Sequence, residues 1–97
     1  MIVGALCIEL HLPRSHSLKE KRAIIRPIID GARHRFAVAA AETGFQDLWQ
    51  RCQMAAAAVG ANEHHVREVL DNVERFVWSF PEIEVISTGR SWLDESG

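Results

Sequence analysis

The fold is decided by the opening stretch of the chain, Ile2-Val3-Gly4-Ala5-Leu6-Cys7-Ile8-Glu9-Leu10-His11-Leu12. Its even-numbered positions hold only glycine and aliphatic residues, whereas its odd-numbered positions become polar at Glu9 and His11. Because successive side chains of a strand point to opposite faces of a sheet, this alternation predicts a strand with one fully apolar face. The other face is apolar near Val3 and polar near His11, and Pro13 ends the strand.

A helix is predicted directly after this strand. Ser17 and Glu20 have the spacing of a capping box, in which each side chain accepts a hydrogen bond from the other's backbone N–H. At about 100° per residue, six apolar side chains fall within one arc of about 100° and form a buried stripe. These are Leu18, Ile25, Ile28, Ile29, Ala32 and Phe36. Pro27 removes one intrahelical hydrogen bond, so we expect it to kink or divide the helix, and Gly31 weakens the helix further.

Three more strands and a second helix are predicted in the rest of the chain. The alanine-rich segment 36–42 is interpreted as a short strand because it lies between a finished helix and a turn. Small side chains alternate through 51–59, as suits a central strand. Asn62 caps a helix with regular i, i+3, i+4, i+7 apolar spacing, and 83–88 alternate as a last strand. This order predicts an α+β fold, a four-stranded antiparallel sheet with both helices on one face.

Size and composition indicate one ordinary globular domain covering residues 1–97. Apolar residues make up 47% and charged residues 25% of the sequence. No apolar run approaches the length of about 20 residues that crosses a bilayer. The N-terminal stretch lacks a basic region and contains Glu9 and His11, so it does not resemble a signal peptide. Cys7 and Cys52 lack the spacing of a metal site, and we interpret them as reduced, buried, small apolar residues of a cytoplasmic protein.

Charge is distributed unevenly, although the net charge is only −2. Residues 1–35 contain seven Lys or Arg against three Asp or Glu, whereas residues 36–97 contain four against ten. The two parts therefore carry net charges of +4 and −6. Such a dipolar molecule has a basic end that can meet a polyanion, even though the whole chain is acidic.

The strongest candidate surface is a basic stripe on one side of the first helix, within an arc of about 60°. Its members are Lys19, Arg22, Arg26 and Arg33, with Arg14, Lys21 and Arg35 as further candidates for nucleic-acid binding. Arginine and lysine neutralise phosphate charge and release counterions, so the stripe favours a nucleic-acid contact. The alternative is a solvated helix face that pairs partly with the acidic second helix. A contiguous patch would favour nucleic acid, and neutralisation by Glu68 or Asp71 would favour a protein-interaction module.

A second candidate site lies in the loop before the third strand and consists of Glu42, Asp47, Trp49 and Gln50. Trp49 can stack on an RNA base while Asp47 and Gln50 contact polar base edges. Alternatively, Trp49 covers the end of the core, and Asp47 caps the turn or pairs with an arginine. The third strand holds no aromatic residue, which disfavours base stacking on the central strands of the sheet.

No pattern in the sequence favours an enzyme. Glycine-rich phosphate loops, nucleophile elbows and HExxH motifs are absent from the sequence. Cys7, Glu9 and His11 share one strand face, but neighbours there are about 6.5–7 Å apart, too far to share a metal ion without distortion. We therefore nominate no catalytic residue, no metal, no cofactor and no small-molecule substrate.

The chain resembles the YlxP-like family of small bacterial proteins of unknown function. The resemblance is carried by Ser17-Leu18-Lys19-Glu20-Lys21-Arg22, by Arg33-His34-Arg35-Phe36, and by Glu42 followed by Gln46-Asp47-Leu48-Trp49-Gln50-Arg51. It implies a ferredoxin-like fold, in agreement with the element order, and no established activity. Genes of the family often lie beside genes for ribosome maturation and translation initiation, which associates the family with RNA or the ribosome.

Two functions fit these patterns best, and an enzyme on the same fold, with no nominated catalytic residue, is the third alternative. One is a protein-interaction module that self-associates as a homodimer through the uncovered sheet face around Val3, Ala5 and Cys7. The other is an accessory protein that binds RNA or a ribosomal particle through the basic first helix. Neither function requires a membrane.

Overall fold

The computed structural model describes residues 1–95, which form four strands and two helices. They are β1 (Ile2–His11), α1 (Leu18–Phe36), β2 (Ala39–Gly44), β3 (Arg51–Gly60), α2 (Glu63–Trp78) and β4 (Glu84–Asp94). The strands form one antiparallel sheet in the order β2-β3-β1-β4. The predicted β-α-β-β-α-β order and the ferredoxin-like α+β fold are confirmed. No helix among the described residues is long and apolar enough to cross a membrane.

The core lies between the two helices and one face of the sheet. From β1 it takes the even-numbered side chains, including Leu6, Ile8 and Leu10, which are at most 1% exposed. The helices add Ile25, Ile28, Ile29 and Ala32 from α1, and Val66, Leu70, Val73 and Val77 from α2. Burial of each large aliphatic side chain favours folding by about 1.5–3 kcal/mol. The alternation of β1 and the apolar stripe of each helix are therefore what join the helices to the sheet.

Both helices begin at the caps that the sequence indicates. The side chain of Ser17 accepts from the Glu20 N–H at 3.1 Å, and that of Asn62 accepts from the His65 N–H at 2.8 Å. The Glu20 carboxylate accepts from the His16 N–H rather than from that of Ser17. The reciprocal hydrogen bond of the predicted capping box is thus shifted by one residue, from the Ser17 N–H to the His16 N–H. The N-terminus of α1 still has two capping hydrogen bonds.

Of the two outcomes expected at Pro27, division of the helix does not occur. Pro27 is exposed, so water can solvate the one carbonyl that loses its partner. The helix ends at Phe36, the last residue of the predicted apolar stripe, whose ring packs edge-to-face on Phe76 of α2 at a centroid distance of 5.6 Å. Ala37 then adopts a left-handed conformation with φ 54°, which ends the helix. The strand predicted over 36–42 therefore begins later and is β2, Ala39–Gly44.

The last strand is longer than the alternation of 83–88 indicates. β4 continues past Thr88 to Asp94, because β1 offers backbone partners along its whole length and pairs Ile2 with Asp94. A β-bulge opposite Glu9 and Leu10 shifts the register near the start of β4. The side chains of β4 are mostly exposed, so its extension depends on ladder hydrogen bonds to β1 rather than on an apolar pattern that the sequence could display.

Candidate functional site

The two flanks of α1 have different neighbours. On one flank, Gly31 lies against α2 so closely that an added Cβ would be 2.5 Å from the ring of Phe76. On the other flank, Arg22 and Arg26 line a groove of about 310 Å³ that is closed on its far side by Ala41 and Glu42 of β2. The basic stripe therefore runs along the β2 edge of the sheet and faces away from α2.

The cations at the front of the stripe are exposed and unpaired. Lys19, Arg22 and Arg26 are all exposed, as is Arg14 in the loop before α1. Within residues 1–95, none of these four side chains takes part in a salt bridge. Lys19 and Arg26 are seven residues apart, so this part of the helix face spans about 10 Å. Four cationic groups thus remain available to an external ligand.

The acidic residues of α2 are engaged elsewhere. Asp71 and Glu74 accept from the Arg90 guanidinium of β4 at 2.7 and 3.2 Å. Partial burial opposes the charge of Arg90, but these two hydrogen bonds outweigh it and raise the pKa of Arg90. Glu68 lies 3.7 Å from the His64 ring nitrogen. Neither Glu68 nor Asp71 neutralises the basic stripe.

The two arginines near the C-terminal end of α1 are partly committed to the fold. Arg33 donates from Nε to the Ala40 carbonyl at 2.9 Å, and one of its terminal nitrogens lies 3.3 Å from the Asp30 carboxylate. The guanidinium of Arg35 stacks over the ring of Phe76 at 5.2 Å from its centroid. The Arg33 side chain, at the C-terminal end of the stripe, is therefore restricted by its own hydrogen bonds. Arg35 lies on the flank of α1 that faces α2.

Lys21 lies inside the molecule and not on the exposed stripe. Its residue surface is 2% exposed, and its ammonium donates to the carbonyls of Phe45 and Leu48, each at 2.7 Å. The Glu42 carboxylate lies 2.7 Å from the same nitrogen. A buried ammonium is tolerated only when paired and hydrogen-bonded in this way. We call this arrangement the Lys21 clamp, because it attaches the β2–β3 loop to α1.

Helix periodicity held a signal for the burial of Lys21, although not for its partners. On a helical wheel at about 100° per residue, position 21 falls between Ile25 and Ile28, inside the arc of the buried stripe. A lysine at that angle must be buried or must displace the stripe. Its carbonyl and carboxylate partners come from a loop more than 20 residues away, so only the folded chain identifies them.

The β2–β3 loop is attached to the start of α1 at a second point as well. The Gln50 side-chain amide donates to the Ser15 carbonyl at 3.2 Å, and the Leu12 N–H donates to the Gln50 carbonyl at 2.9 Å. Trp49 is therefore held between two tethered residues, Leu48 and Gln50. The structure brings the candidate residues Glu42, Trp49 and Gln50 to the same end of the molecule as the front of the basic stripe.

The same loop exposes large apolar side chains. Trp49 is 53% exposed, Leu48 48% and Phe45 39%, so Trp49 does not act as a lid on the core. Asp47 is exposed, and in the described part of the chain it accepts no side-chain or backbone hydrogen bond, so the expected cap or arginine pair is not found there. A tethered loop that exposes an indole, at the end of the molecule where the basic stripe begins, is typical of a binding surface.

The uncovered sheet face forms regular rows across the strands. The register places Val59, Val3 and Leu93 in one row, followed by a row of Ala57, Ala5 and Ser91 and a row of Ala55, Cys7 and Gly89. The first row is strongly exposed, with Val59 at 66% and Leu93 at 52%. The next row contains Glu9, which forms an ion pair with Arg51 of β3. This face therefore changes from apolar to polar along the strands.

The chemistry of the two cysteines differs because of their positions. Cys52 is fully buried as expected, whereas the expected burial of Cys7 is wrong, because its odd-numbered position on β1 places it, exposed, on the uncovered sheet face. Burial, with a smaller effect of the Glu42 carboxylate, raises the pKa of the Cys52 thiol from 9.0 to about 12. Cys52 is thus a neutral core residue. Among residues 1–95, no group of three or more His, Cys, Asp or Glu side chains is arranged to hold a metal ion.

Fold and surface together define a small ferredoxin-like α+β protein whose first helix carries a basic flank, with Lys19, Arg22 and Arg26 exposed and without ion-pair partners in residues 1–95. The chain belongs to the family described as "Protein of unknown function (DUF503)", whose model matches residues 3–90. It is similar to the uncharacterized protein YlxP of Bacillus subtilis (strain 168), with 41% identity over 77 residues, which are 79% of this chain and 84% of that protein. The resemblance to the YlxP-like family is confirmed.

Proposed function

We propose that this protein binds the phosphates of RNA through the basic stripe of α1, as an accessory protein of an RNA or a ribosomal particle in the cytoplasm. The observation that carries the proposal is the exposed and unpaired state of Lys19, Arg22 and Arg26 in a molecule that pairs Arg90 with two carboxylates. The acids that were expected to neutralise the stripe, Glu68 and Asp71, have other partners.

Phosphate binding by such a surface follows from electrostatics. Each phosphate that is neutralised by lysine or arginine releases condensed counterions, which is the main source of sequence-independent affinity. The four free cations Arg14, Lys19, Arg22 and Arg26 can contact about four phosphates, which predicts a slope near −3 for log affinity against log salt on single strands. The net charge of −2 does not oppose this, because the acidic residues lie mainly in the other two thirds of the chain.

The proposal is tested by fluorescence anisotropy of a labelled RNA over a range of salt concentrations. Arg22→Glu with Arg26→Glu should abolish binding, because it reverses two adjacent members of the stripe. The matched control is Arg67→Glu with Arg75→Glu on α2, which changes the net charge by the same amount at exposed positions on another surface. Equal losses from both double variants, or an affinity that does not depend on salt, would refute phosphate binding by the stripe.

A second candidate function is a protein-interaction module that self-associates through the uncovered sheet face. It is favoured by the contiguous apolar row of Val59, Val3 and Leu93, in which Val59 and Leu93 are exposed and Val3 is half-buried, since such a row on a sheet face is unfavourable in water. In a homodimer through this face, Val3→Glu would place charges into the interface and yield monomers in light scattering. Alkylation of Cys7 should also slow as the protein concentration rises. A monomeric wild type with concentration-independent alkylation of Cys7 would exclude this dimer.

A further inference from the structure

We infer that the ligand of the basic stripe is single-stranded RNA and that Trp49 is the platform on which one of its bases stacks. The inference rests on the proposed function, because it names the class of RNA that the same surface takes. It is carried by the position, the exposure and the rigid attachment of Trp49.

The attachment places Trp49 at the end of α1 where the stripe begins. The Leu48 carbonyl, in the residue before Trp49, accepts from the Lys21 ammonium at 2.7 Å. The Gln50 side-chain amide, in the residue after it, donates to the Ser15 carbonyl at 3.2 Å. Lys19 and Lys21 are two residues apart on α1, a rise of about 3 Å. Trp49 and the first cations of the stripe therefore lie at the same end of the molecule.

The loop is organised before any ligand arrives. The Lys21 clamp and the hydrogen bond from the Leu48 N–H to the Phe45 carbonyl hold its turn. Phe45 has φ 58°, in the left-handed region that a residue other than glycine occupies at a cost. The clamp holds the loop in this strained conformation, with Trp49 53% exposed. A side chain that is already ordered loses less entropy on binding than one on a mobile loop.

The exposed ring selects single strands because of what each form of RNA offers. In a duplex both faces of a base are covered by its neighbours, and the narrow major groove admits no side chain. A single strand can turn a base out of the stack and lay it on an aromatic side chain, while its phosphates follow a positively charged groove. The rows of the open sheet face, from Val3 to Glu9, carry no aromatic residue on β1 or β3. Stacking is therefore assigned to the loop and not to the sheet.

The test compares a single-stranded oligonucleotide with a duplex of the same length, using the full-length chain. Trp49→Ala should weaken single-strand binding by about 5- to 150-fold, the range for loss of one stacked base, and should leave duplex binding unchanged. The salt slope should stay the same, because the phosphate contacts are kept. Trp49→Phe should restore most of the affinity, since a phenyl ring still stacks.

The matched control is Trp78→Ala. Trp78 is 59% exposed, and it lies on α2, across α1 from the stripe. Its removal should leave single-strand affinity unchanged, and far-ultraviolet circular dichroism should show the same fold for each variant. A wild type that binds neither RNA refutes the proposed function itself. A wild type that binds both RNAs with the expected salt slope, but to which Trp49→Ala makes no difference, overturns only the stacking inference, as does an equal loss from Trp78→Ala.

Discussion

Arginines on the two sides of the molecule differ in whether they have acidic partners. On the side of α2, Arg90 of β4 forms ion pairs with Asp71 and Glu74. On the β2 flank, Arg22 and Arg26 have no ion-pair partner among residues 1–95. The same chain supplies enough carboxylates to pair them, so the difference is one of placement. An arginine that holds two acids is explained by the fold, whereas Arg22 and Arg26 have no such partner within residues 1–95, which is why the proposed function places a polyanion there.

The contrast is repeated within α1 itself. Lys21 and Arg22 are consecutive, yet the first is 2% exposed and bonded to two carbonyls, while the second is exposed and unpaired. A rotation of about 100° along the helix separates a structural cation from a candidate binding cation. Sequence proximity is therefore a poor guide to which basic residues share a role.

The largest expected effect comes from breaking the Lys21 clamp. Lys21→Met keeps the aliphatic stem but leaves the Glu42 carboxylate and two loop carbonyls without their ammonium partner. Removal of one member of a buried ion pair costs about 3–5 kcal/mol, so the free energy of unfolding in urea should fall by that amount. Lys19→Met, two residues earlier and exposed, is the control and should change it by less than about 0.5 kcal/mol.

The clamp prediction has a compensating variant. Lys21→Met combined with Glu42→Leu removes both charges, and it should recover part of the lost stability because no unpaired carboxylate remains. If Lys21→Met unfolds at the same urea concentration as Lys19→Met, the ammonium is not buried in solution and the clamp does not exist.

The packing of α1 against α2 is disturbed by one added methyl group at Gly31. In Gly31→Ala, the new Cβ would lie 2.5 Å from the Phe76 ring, which is confined by Phe36 and Phe80 at centroid distances of 5.6 and 5.1 Å. Overpacking of this kind costs about 1–3 kcal/mol, against a gain of about 1 kcal/mol in helix propensity. We expect a net loss of stability in urea unfolding and an unchanged RNA affinity.

Gly89→Ala is the control for this steric prediction, because no atom of residues 1–95, apart from Gly89 and its chain neighbours, lies within 4 Å of a Cβ added there. It should be neutral or slightly stabilising. A Gly31→Ala variant that is more stable than the wild type would mean that α1 and α2 are packed more loosely than the structure has them.

The interior beneath the clamp can be probed by pH. Burial raises the pKa of the Cys52 thiol to about 12, whereas in the unfolded chain it ionises near 9.0. Above pH 9 the unfolded chain therefore loses this proton first, and the free energy of unfolding should fall by about 1.4 kcal/mol per pH unit until the thiol also ionises in the fold. The chain contains no tyrosine that would titrate in this range.

Cys52→Ala identifies the group responsible for this pH dependence. This variant should show a smaller fall in the free energy of unfolding between pH 8 and pH 10 than the wild type. The difference should be about 1.4 kcal/mol at pH 10, one unit above the thiol pKa of the unfolded chain. Cys7→Ser should keep the decline, because Cys7 is exposed in the fold. An unchanged slope in Cys52→Ala would assign the alkaline loss of stability to another group.

Local patterns in the sequence predicted most of the fold. The alternation from Ile2 to Leu12 and the caps at Ser17 and Asn62 depend on neighbours within four residues, so they can be read directly. The start of β2 at Ala39 and the extension of β4 to Asp94 could not, because the first depends on pairing with Ala57 and the second on pairing with Ile2. The ends of these strands are set by residues that are distant in the sequence.

The candidate site was predicted only in part, because some of its residues are placed by helix geometry and others by contacts with distant residues. The angular arc of Lys19, Arg22 and Arg26 follows from helix geometry alone, and the structure places all three on one exposed flank. The burial of Lys21 and the contact of Arg35 with Phe76 require partners on other elements. The ion pairs of Asp71 and Glu74 also depend on a distant residue, because both carboxylates pair with Arg90 of β4 and not with the basic stripe.

The smallest expected effect is the most informative for function. Arg22→Ala with Arg26→Ala removes two exposed side chains that have no ion-pair partner in residues 1–95, so the free energy of unfolding should change by less than about 0.5 kcal/mol per site. Arg90→Met should cost clearly more, because it leaves Asp71 and Glu74 facing each other without a cation. Urea unfolding of both variants measures the contrast directly. If the stripe variant loses as much stability as Arg90→Met, the stripe is part of the fold's own charge balance, and its exposure is no longer an argument for a polyanionic ligand.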